Sequence, residues 1–121
     1  MKFQTFGQII PPHIWMDVTY KGFIYRIDNP VDNKYYIGRK GFRSSGGDWR
    51  YYAGSSKLLN ADIKRLGGKH RFLYEVLDYC KTERDLVLKE AYWQIHHNVL
   101  EDESSYNQNI FCKYFKFKTD Y

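Results

Sequence analysis

Two short runs of apolar and aromatic residues, separated by a polar turn, are the clearest pattern in the first half of the chain. The runs, Phe23–Ile27 and Tyr35–Gly38, are rich in the aromatic and β-branched residues that favour strands. The segment between them, residues 28–33, carries Asn, Asp and Pro, which turn chains. The pattern therefore predicts a β-hairpin with strands over residues 22–28 and 34–39.

Further along, the pattern predicts a helix followed by a third strand. Apolar residues at helical spacing run as far as Leu66 after a capping serine in the pair Ser55–Ser56. The glycines Gly67–Gly68 are typical of the end of a helix. Residues 71–79 then alternate between two faces, as the side chains of a strand do.

A second helix is expected from Glu83 to His97 or Val99, capped by Thr82 with Asp85 three residues later. Apolar side chains recur along it at helical spacing. The predicted core-facing stripe consists of Leu88, Ala91, Tyr92, Ile95 and Val99.

The remaining segments carry no regular period. Residues 1–20 are expected to be an aromatic N-terminal extension, a strand or an arm that packs on the sheet, and residues 41–54 a loop. Residues 104–109 are predicted as a turn, and residues 110–121 as a tail that is strand or frayed end. With 121 residues and no repeat or linker, we expect residues 1–121 to form one α+β domain, an antiparallel three-stranded sheet flanked by helices.

The distribution of charge adds a candidate for function. The formal net charge is +5, and residues 1–60 hold the whole surplus, because basic and acidic residues are equal in number over residues 61–121. The basic residues around and after the hairpin form a cluster, which is either an ordinary solvated surface or an electrostatic footprint for a polyanion such as nucleic acid. Its basic residues are Lys34, Arg39, Lys40, Arg43, Arg50 and Lys57.

The sequence gives no sign of a membrane protein. No apolar run approaches the ~20 residues that span a bilayer. The N-terminal segment is a poor signal peptide, because Pro11–Pro12 interrupts its apolar part. We therefore expect a cytoplasmic protein with no membrane partner, in which Cys80 and Cys112 are free thiols.

The order of these elements and two tyrosine motifs resemble the GIY-YIG nuclease superfamily, in particular its phage-type homing or restriction-like endonucleases. The first motif stands here as Phe23-Ile24-Tyr25, with Phe in place of Gly, and the second is intact as Tyr36-Ile37-Gly38. The resemblance covers about residues 20–110. Its later part rests on Leu58, Ile63, Gly67, Phe72, Glu75-Val76-Leu77, Glu90, Trp93 and Tyr106-Asn107.

The resemblance implies a DNA endonuclease that uses Mg²⁺ or Mn²⁺, in a bacterial or phage-infected cell. It gives Tyr25 the role of positioning or deprotonating the attacking water, and it places Tyr36 beside the scissile phosphate. It makes Glu90 the ligand of the single metal ion and Asn107 the residue that closes the site. The implied substrate is double-stranded DNA, bound by a monomer or a homodimer.

One departure from the family concerns a catalytic arginine. The family usually continues from the second motif into a helix that carries this arginine, whereas residues 41–54 do not read as a helix. The role must pass to another basic residue of the cluster. The candidates are Arg39, Lys40, Arg43 and Arg50, of which Arg39 and Lys40, directly after the motif, are favoured as phosphate contacts.

The chemistry can also be argued from the residues alone. A Mg²⁺ ion held by one carboxylate and the substrate can neutralise the phosphate and deliver a proton to the leaving oxygen. Glu90 is the best candidate because Leu86 and Trp93 flank it on its helix, and Glu75 is its rival. Tyrosine, with a pKa near ~10, needs a neighbouring cation or metal to act as a base. The alternative is that the strand tyrosines are packing residues.

Further DNA contacts and two rival functions complete the predictions. Residues 49–52 interleave aromatic side chains with a cation, which suits stacking on bases, or else their aromatics pin the loop to the body of the protein. The rivals are an inactive DNA-binding module of the same fold and a protein–protein adaptor that uses the aromatic N-terminus. The predicted DNA contacts are Arg43, Trp49, Arg50, Lys57 and Asn107.

Overall fold

The computed structural model describes residues 5–43 and 47–112, which form a sheet with helices on both faces. The strands are β1 (Gly22–Asn29), β2 (Lys34–Gly41) and β3 (Leu73–Cys80). The helices are α1 (Phe6–Ile9), α2 (Pro12–Trp15), α3 (Lys57–Arg65) and α4 (Glu83–His96), with single 3₁₀ turns at Trp49–Tyr51 and Lys69–Arg71.

The sheet has β1 at its centre, in the order β2–β1–β3, and both pairings are antiparallel. The predicted hairpin is confirmed, and its register places Tyr25 opposite Gly38 and Ile27 opposite Tyr36. A β-bulge between Ile24 and Tyr25 shifts the pairing of β1 with β3. Because β3 pairs with the other side of β1, β2 is an edge strand of the sheet. The motif tyrosines lie on neighbouring strands, Tyr25 on the central β1 and Tyr36 on the edge strand β2.

One face of the sheet carries the larger core. Phe23, Tyr25 and Ile27 of β1 point into it, and each is at most 1% exposed. Because side chains alternate along a strand, these three positions share one face. They pack against Phe6, Ile10, Ile14, Phe42, Trp49, Ala53, Leu59, Ile63, Phe72 and Tyr106.

The N-terminal extension forms part of this core. It is an arm of two short helices, and the strand that we considered is absent between residues 5 and 20. The Phe6 ring lies 4.9 Å from Phe23 and 5.2 Å from Tyr25, measured between centroids. Phe6 and Ile10 are buried and so unavailable to a protein partner, whereas Met16 and Val18 of the same arm are exposed, so that the adaptor hypothesis stays a prediction.

Helix α4 covers the opposite face of the sheet, but with a different stripe from the predicted one. Tyr92 and Ile95 were expected in the core and are 55% and 58% exposed. Ala91 in the helix and Val99 just after the end of the helix are buried, as predicted. Apolar residues surround this helix on all sides, so that spacing alone does not single out one face. The residues that α4 buries are Leu86, Val87, Ala91 and Gln94.

The other local predictions are largely confirmed. Ser56 caps α3 by accepting a hydrogen bond from the Leu59 N–H at 3.2 Å, and Thr82 caps α4. The loop after β2 contains no α-helix in its described residues, 42–43 and 47–54. Both cysteines are free. None of the described helices has the length and apolar character required to cross a membrane.

The chain after α4 runs along the free edge of β2, where we had predicted a turn over residues 104–109. The Tyr35 N–H donates to the Ser104 carbonyl at 2.9 Å, and the Tyr106 N–H donates to the Tyr35 carbonyl at 2.7 Å. A parallel bridge joins Tyr35 and Ser105. The unpaired backbone groups of the edge strand explain this extended path. Of the predicted tail, residues 113–121 lie outside the described residues.

Candidate functional site

A polar cleft of about 450 Å³ opens at the edge of β2, beside α4. It collects side chains from both hairpin strands, from the loop before α3, from α4 and from the segment that follows α4. Five residues that the sequence singled out meet here. The lining consists of Tyr25, Tyr36, Arg39, Tyr52, Ser55, Glu90, Gln94, Asn107, Asn109 and Phe111.

Gly38 allows the two motif tyrosines to approach each other. A Cβ atom on Gly38 would lie 2.6 Å from the Tyr25 hydroxyl oxygen and 2.9 Å from a ring carbon of Tyr36. Such distances are far below van der Waals contact. The two rings lie 6.2 Å apart between centroids. The glycine of the second motif therefore makes room for the Tyr25 ring to cross the neighbouring strand.

Tyr25 is 1% exposed, and its surroundings favour the neutral phenol. Burial raises its pKa well above the ordinary value, and Tyr36, Tyr52 and Glu90 raise that pKa further. The pKa of Tyr25 is therefore shifted away from the phenolate that a general base would need. Tyr25 is a proton-bearing hydroxyl in a fixed orientation, suited to hydrogen bonding.

Tyr36 is in a more balanced environment. Burial raises its pKa, a hydrogen bond with Ser55 lowers it, and Glu90 and Arg39 act in opposite directions. The result is still a pKa above that of a free tyrosine. Its hydroxyl is thus a second protonated group, which lies closer to the open cleft than Tyr25 does.

Tyr52 and Ser55 belong to the site, and the sequence did not single them out for it. The Tyr52 hydroxyl shares a hydrogen bond with Tyr25, and the two rings meet edge to face at 6.0 Å. Ser55 is available to Tyr36 because its neighbour Ser56 is the helix cap. The signal in the sequence was the serine pair itself, since only one serine of the two can cap the helix.

Glu90 and Arg39 form an ion pair in the cleft. The Arg39 Nη1 donates to the Glu90 Oε1 at 2.9 Å, and the Glu90 side chain is 15% exposed. Burial raises the pKa of Glu90 whereas Arg39 lowers it, with a net rise. Among the described residues, Glu90 is the one carboxylate that lines the cleft. The rival Glu75 is exposed on β3 and lies outside the lining.

The other four predicted cations do not line the cleft, namely Lys40, Arg43, Arg50 and Lys57. Lys40 is 5% exposed, and its Nζ lies 4.5 Å from the centroid of the Tyr52 ring. It is thus buried against Tyr52 and outside the lining of the cleft, and its predicted contact with a phosphate stays a prediction. Lys57 is exposed in the first turn of α3, so that its predicted DNA contact stays a prediction.

Arg43 holds the N-terminal arm. Its guanidinium group donates to the carbonyl of Tyr20 at 2.9 Å, and to the carbonyls of Trp15 and Asp17 at 3.4 and 3.5 Å. These bonds point away from the cleft, whose lining does not include Arg43. The structure therefore does not bring Arg43 to the position of the missing family arginine.

Arg50 and Trp49 also face the N-terminal arm. The Arg50 guanidinium lies 4.7 Å from the Trp15 ring centroid and is paired with Asp48. Trp49 is 4% exposed and packs in the core, which contradicts the predicted role in base stacking. The alternative interpretation, a loop pinned to the body by its aromatic residues, is correct for Trp49. Arg39 is left as the cation that lines the cleft among the described residues.

Asn107 lines the cleft and completes the edge of β2. Its Oδ1 accepts a hydrogen bond from the Ile37 N–H at 3.0 Å, and its Nδ2 donates to the Ile37 carbonyl at 2.8 Å. The Gln94 side chain donates to the same carbonyl. Asn107 therefore acts on the site by holding the second motif in place, whereas its predicted DNA contact stays a prediction.

We expect Asn107→Ala to lower the free energy of unfolding by about 2 kcal/mol, because it leaves the buried Ile37 N–H without a partner. Urea denaturation measures this change. Asn109→Ala, an exposed neighbour in the same cleft, is the control and should change stability by less than about 0.5 kcal/mol. Equal losses in both variants would contradict the bracing role of Asn107.

Residues 13–113 match a family model described as "Putative endonuclease segE, GIY-YIG domain". The chain belongs to the SegE GIY-YIG domain family. The predicted superfamily and the α+β fold with a three-stranded antiparallel sheet are thus confirmed. No curated protein and no solved structure matches the chain. The SegE match contains the whole cleft, whereas α1, which packs Phe6 on Tyr25, lies before it.

Proposed function

We propose that this SegE-family domain is a metal-dependent endonuclease that hydrolyses phosphodiester bonds in double-stranded DNA. The observation that carries the proposal is the meeting of both motif tyrosines, Arg39 and Glu90 in one polar cleft. The family description supports an endonuclease and hence a nucleic-acid substrate. The excess of basic over acidic residues supports a polyanionic substrate.

The cleft fits a single Mg²⁺ or Mn²⁺ ion. Magnesium keeps most of its water molecules and is commonly held by one or two carboxylates together with a substrate phosphate. Glu90 offers one carboxylate, partly buried and turned towards the cleft. When bound there, the ion would polarise a phosphoryl oxygen and stabilise the leaving oxygen. Glu90 is the residue that would hold it.

Arg39 is the residue that we assign to the phosphate. Its guanidinium group carries a fixed charge and several donors in a plane, which match phosphate oxygens in pairs. Arg39 is 39% exposed and reaches the cleft from the residue directly after the second motif. This position substitutes for the helix arginine of the family, because the described part of the following loop is not a helix.

The tyrosines are proposed to act as neutral hydroxyl groups. Tyr25, held by Tyr52, orients a water molecule, and Tyr36, held by Ser55, donates a hydrogen bond to a phosphate oxygen. The raised pKa of each keeps its proton in place at neutral pH, because the pH lies far below both pKa values. Lys40 contacts the ring of Tyr52, and in this way it helps to hold the tyrosine that is hydrogen bonded to Tyr25.

Tyr36→Phe is expected to lower the single-turnover cleavage rate by about 10²-fold, as the loss of a proton-donating or positioning group typically does. The substitution leaves the ring and its packing in place. Tyr92→Phe, which removes the hydroxyl of an exposed tyrosine outside the cleft, is the matched control and should cut at the wild-type rate. An unchanged rate in Tyr36→Phe would make Tyr36 a packing residue.

The proposed activity is tested by incubating the protein with supercoiled plasmid in Mg²⁺, in Mn²⁺ and in EDTA. We expect nicked or linear plasmid with either metal and intact plasmid with the chelator. Tight, salt-sensitive DNA binding without cleavage on any plasmid or genomic DNA would favour the inactive binding module. Cleavage that persists in EDTA would overturn the metal dependence.

A further inference from the structure

Phe111 is an exposed aromatic side chain at the rim of the candidate cleft. It lines the same opening as Glu90 and Arg39, yet it is 73% exposed. Among the described residues, the rest of the lining is mainly polar, and its other aromatic members are the three tyrosines. Single exposed apolar residues are ordinary on a protein surface, so that the position of Phe111 in the lining of the cleft carries the argument, and its exposure alone does not.

The segment that leads to Phe111 is attached to the body of the protein at two residues, Asn107 and Ile110. Ile110 is partly buried and packs against the core beneath α4. Three residues before it, Asn107 makes two hydrogen bonds with the backbone of Ile37. Since both attachments lie within four residues before Phe111, they fix where the chain enters the rim and so reduce the backbone entropy that binding through Phe111 would cost.

The occupant of this rim follows from what the cleft is proposed to bind. A nucleotide whose phosphate meets Arg39 carries its base on the neighbouring sugar, and every base offers an apolar π-face with polar edges. Phe111 supplies the apolar face, and Asn109 beside it supplies amide donors and acceptors. One exposed phenyl ring in the described lining is far smaller than the apolar area that a specific protein interface buries, whereas it matches the face of one base.

We propose that Phe111 is a base-stacking subsite, which binds an unstacked base of the nucleotide next to the scissile phosphate. The inference rests on the proposed nuclease function and extends it to substrate selection. In an intact duplex that base is stacked on its neighbours, and removing it costs a few kcal/mol, least at a mismatch. The protein should therefore prefer DNA in which one base at the site of attack is already free to leave the stack.

Three short duplexes of otherwise identical sequence test the proposal: fully paired, with one central mismatch, and with an abasic site in place of the mismatched base. Affinities are measured by fluorescence anisotropy in EDTA, so that cleavage does not interfere. The wild type should bind the mismatched duplex about 5- to 100-fold more tightly than the abasic one, the range expected for one stacked base. Phe111→Leu should abolish this difference, and Phe111→Trp should retain it.

Tyr92→Leu is the matched control, because Tyr92 is an exposed aromatic residue of α4 outside the cleft. It should discriminate between the duplexes as the wild type does. Equal wild-type affinity for the mismatched and abasic duplexes overturns the subsite, and so does discrimination that survives in Phe111→Leu. A fall in the Tm of Phe111→Leu contradicts the exposed position on which the argument depends.

The plasmid assay separates this proposal from the proposed function. Metal-dependent cutting without discrimination between mismatched and abasic DNA overturns the stacking subsite alone. Discrimination without cutting supports the subsite on an inactive domain. No binding to any of the three duplexes, together with no cutting, overturns both.

Discussion

Replacement of Glu90 by Gln should abolish metal-dependent DNA cleavage, with a loss on the order of 10³-fold or more, while the protein stays folded. A metal ion contributes several kcal/mol to the stabilisation of charge in the transition state, and each 1.4 kcal/mol is about tenfold in rate. Gln preserves the shape of the side chain and can still accept a hydrogen bond from Arg39. The substitution therefore removes the negative charge and little else. Single-turnover cleavage of supercoiled plasmid measures the loss.

The control for this prediction is Glu75→Gln, which removes a carboxylate that is exposed on β3 and outside the cleft. It should cut DNA at the wild-type rate. Binding of Mn²⁺, followed by electron paramagnetic resonance, gives a readout independent of activity and should weaken only in Glu90→Gln. Full cleavage by folded Glu90→Gln would refute the assignment of the metal ligand.

Arg39→Ala should have opposite effects on catalysis and on metal binding. Cleavage should fall by about 10²- to 10³-fold, as it does when one charge-stabilising donor is removed from an active site. Affinity of the DNA-free protein for Mn²⁺ should instead rise, because Arg39 neutralises the Glu90 carboxylate at 2.9 Å and competes with the metal ion. Calorimetric titration with Mn²⁺ and plasmid cleavage measure the two effects.

Two further variants test whether the effect belongs to this arginine. Arg39→Lys keeps the charge but loses the planar set of donors, and should fall between wild type and Arg39→Ala in cleavage. Arg71→Ala removes an exposed arginine outside the cleft lining and should match the wild type in both assays. Weaker Mn²⁺ binding by Arg39→Ala would show that the ion pair supports the metal site, and would contradict the competition.

The N-terminal arm is a poor target for deletion, even though a deletion of residues 1–18 would be the simplest way to separate DNA binding from protein binding. The structure places Phe6 against Phe23 and Tyr25, and buries Ile10 and Ile14 in the same core. Truncation would expose this core and unfold the domain, so that point variants of the cleft are the informative ones.

Local patterns were sufficient for most of the fold. The hairpin, α3, β3 and α4 follow from alternation, helical spacing and caps, because these signals act between residues that are near in sequence. The resemblance supplied Tyr25, Tyr36, Glu90 and Asn107, all of which line one cleft. The buried face of α4 was predicted wrongly because its apolar residues surround the helix, and only contact with the sheet selects Val87 and Gln94 over Tyr92 and Ile95.

The sequence alone determined the three strands, the helices α3 and α4, the family and the two tyrosine motifs, since each depends on residue type and short spacing. The tertiary structure decided which of four candidate cations lines the cleft, because Lys40, Arg43 and Arg50 contact other parts of the fold, whereas Arg39 meets Glu90. It also brought Tyr52, Ser55 and Phe111 to the cleft. These placements depend on how a loop and a strand edge pack against distant segments, and no spacing along the chain encodes that contact.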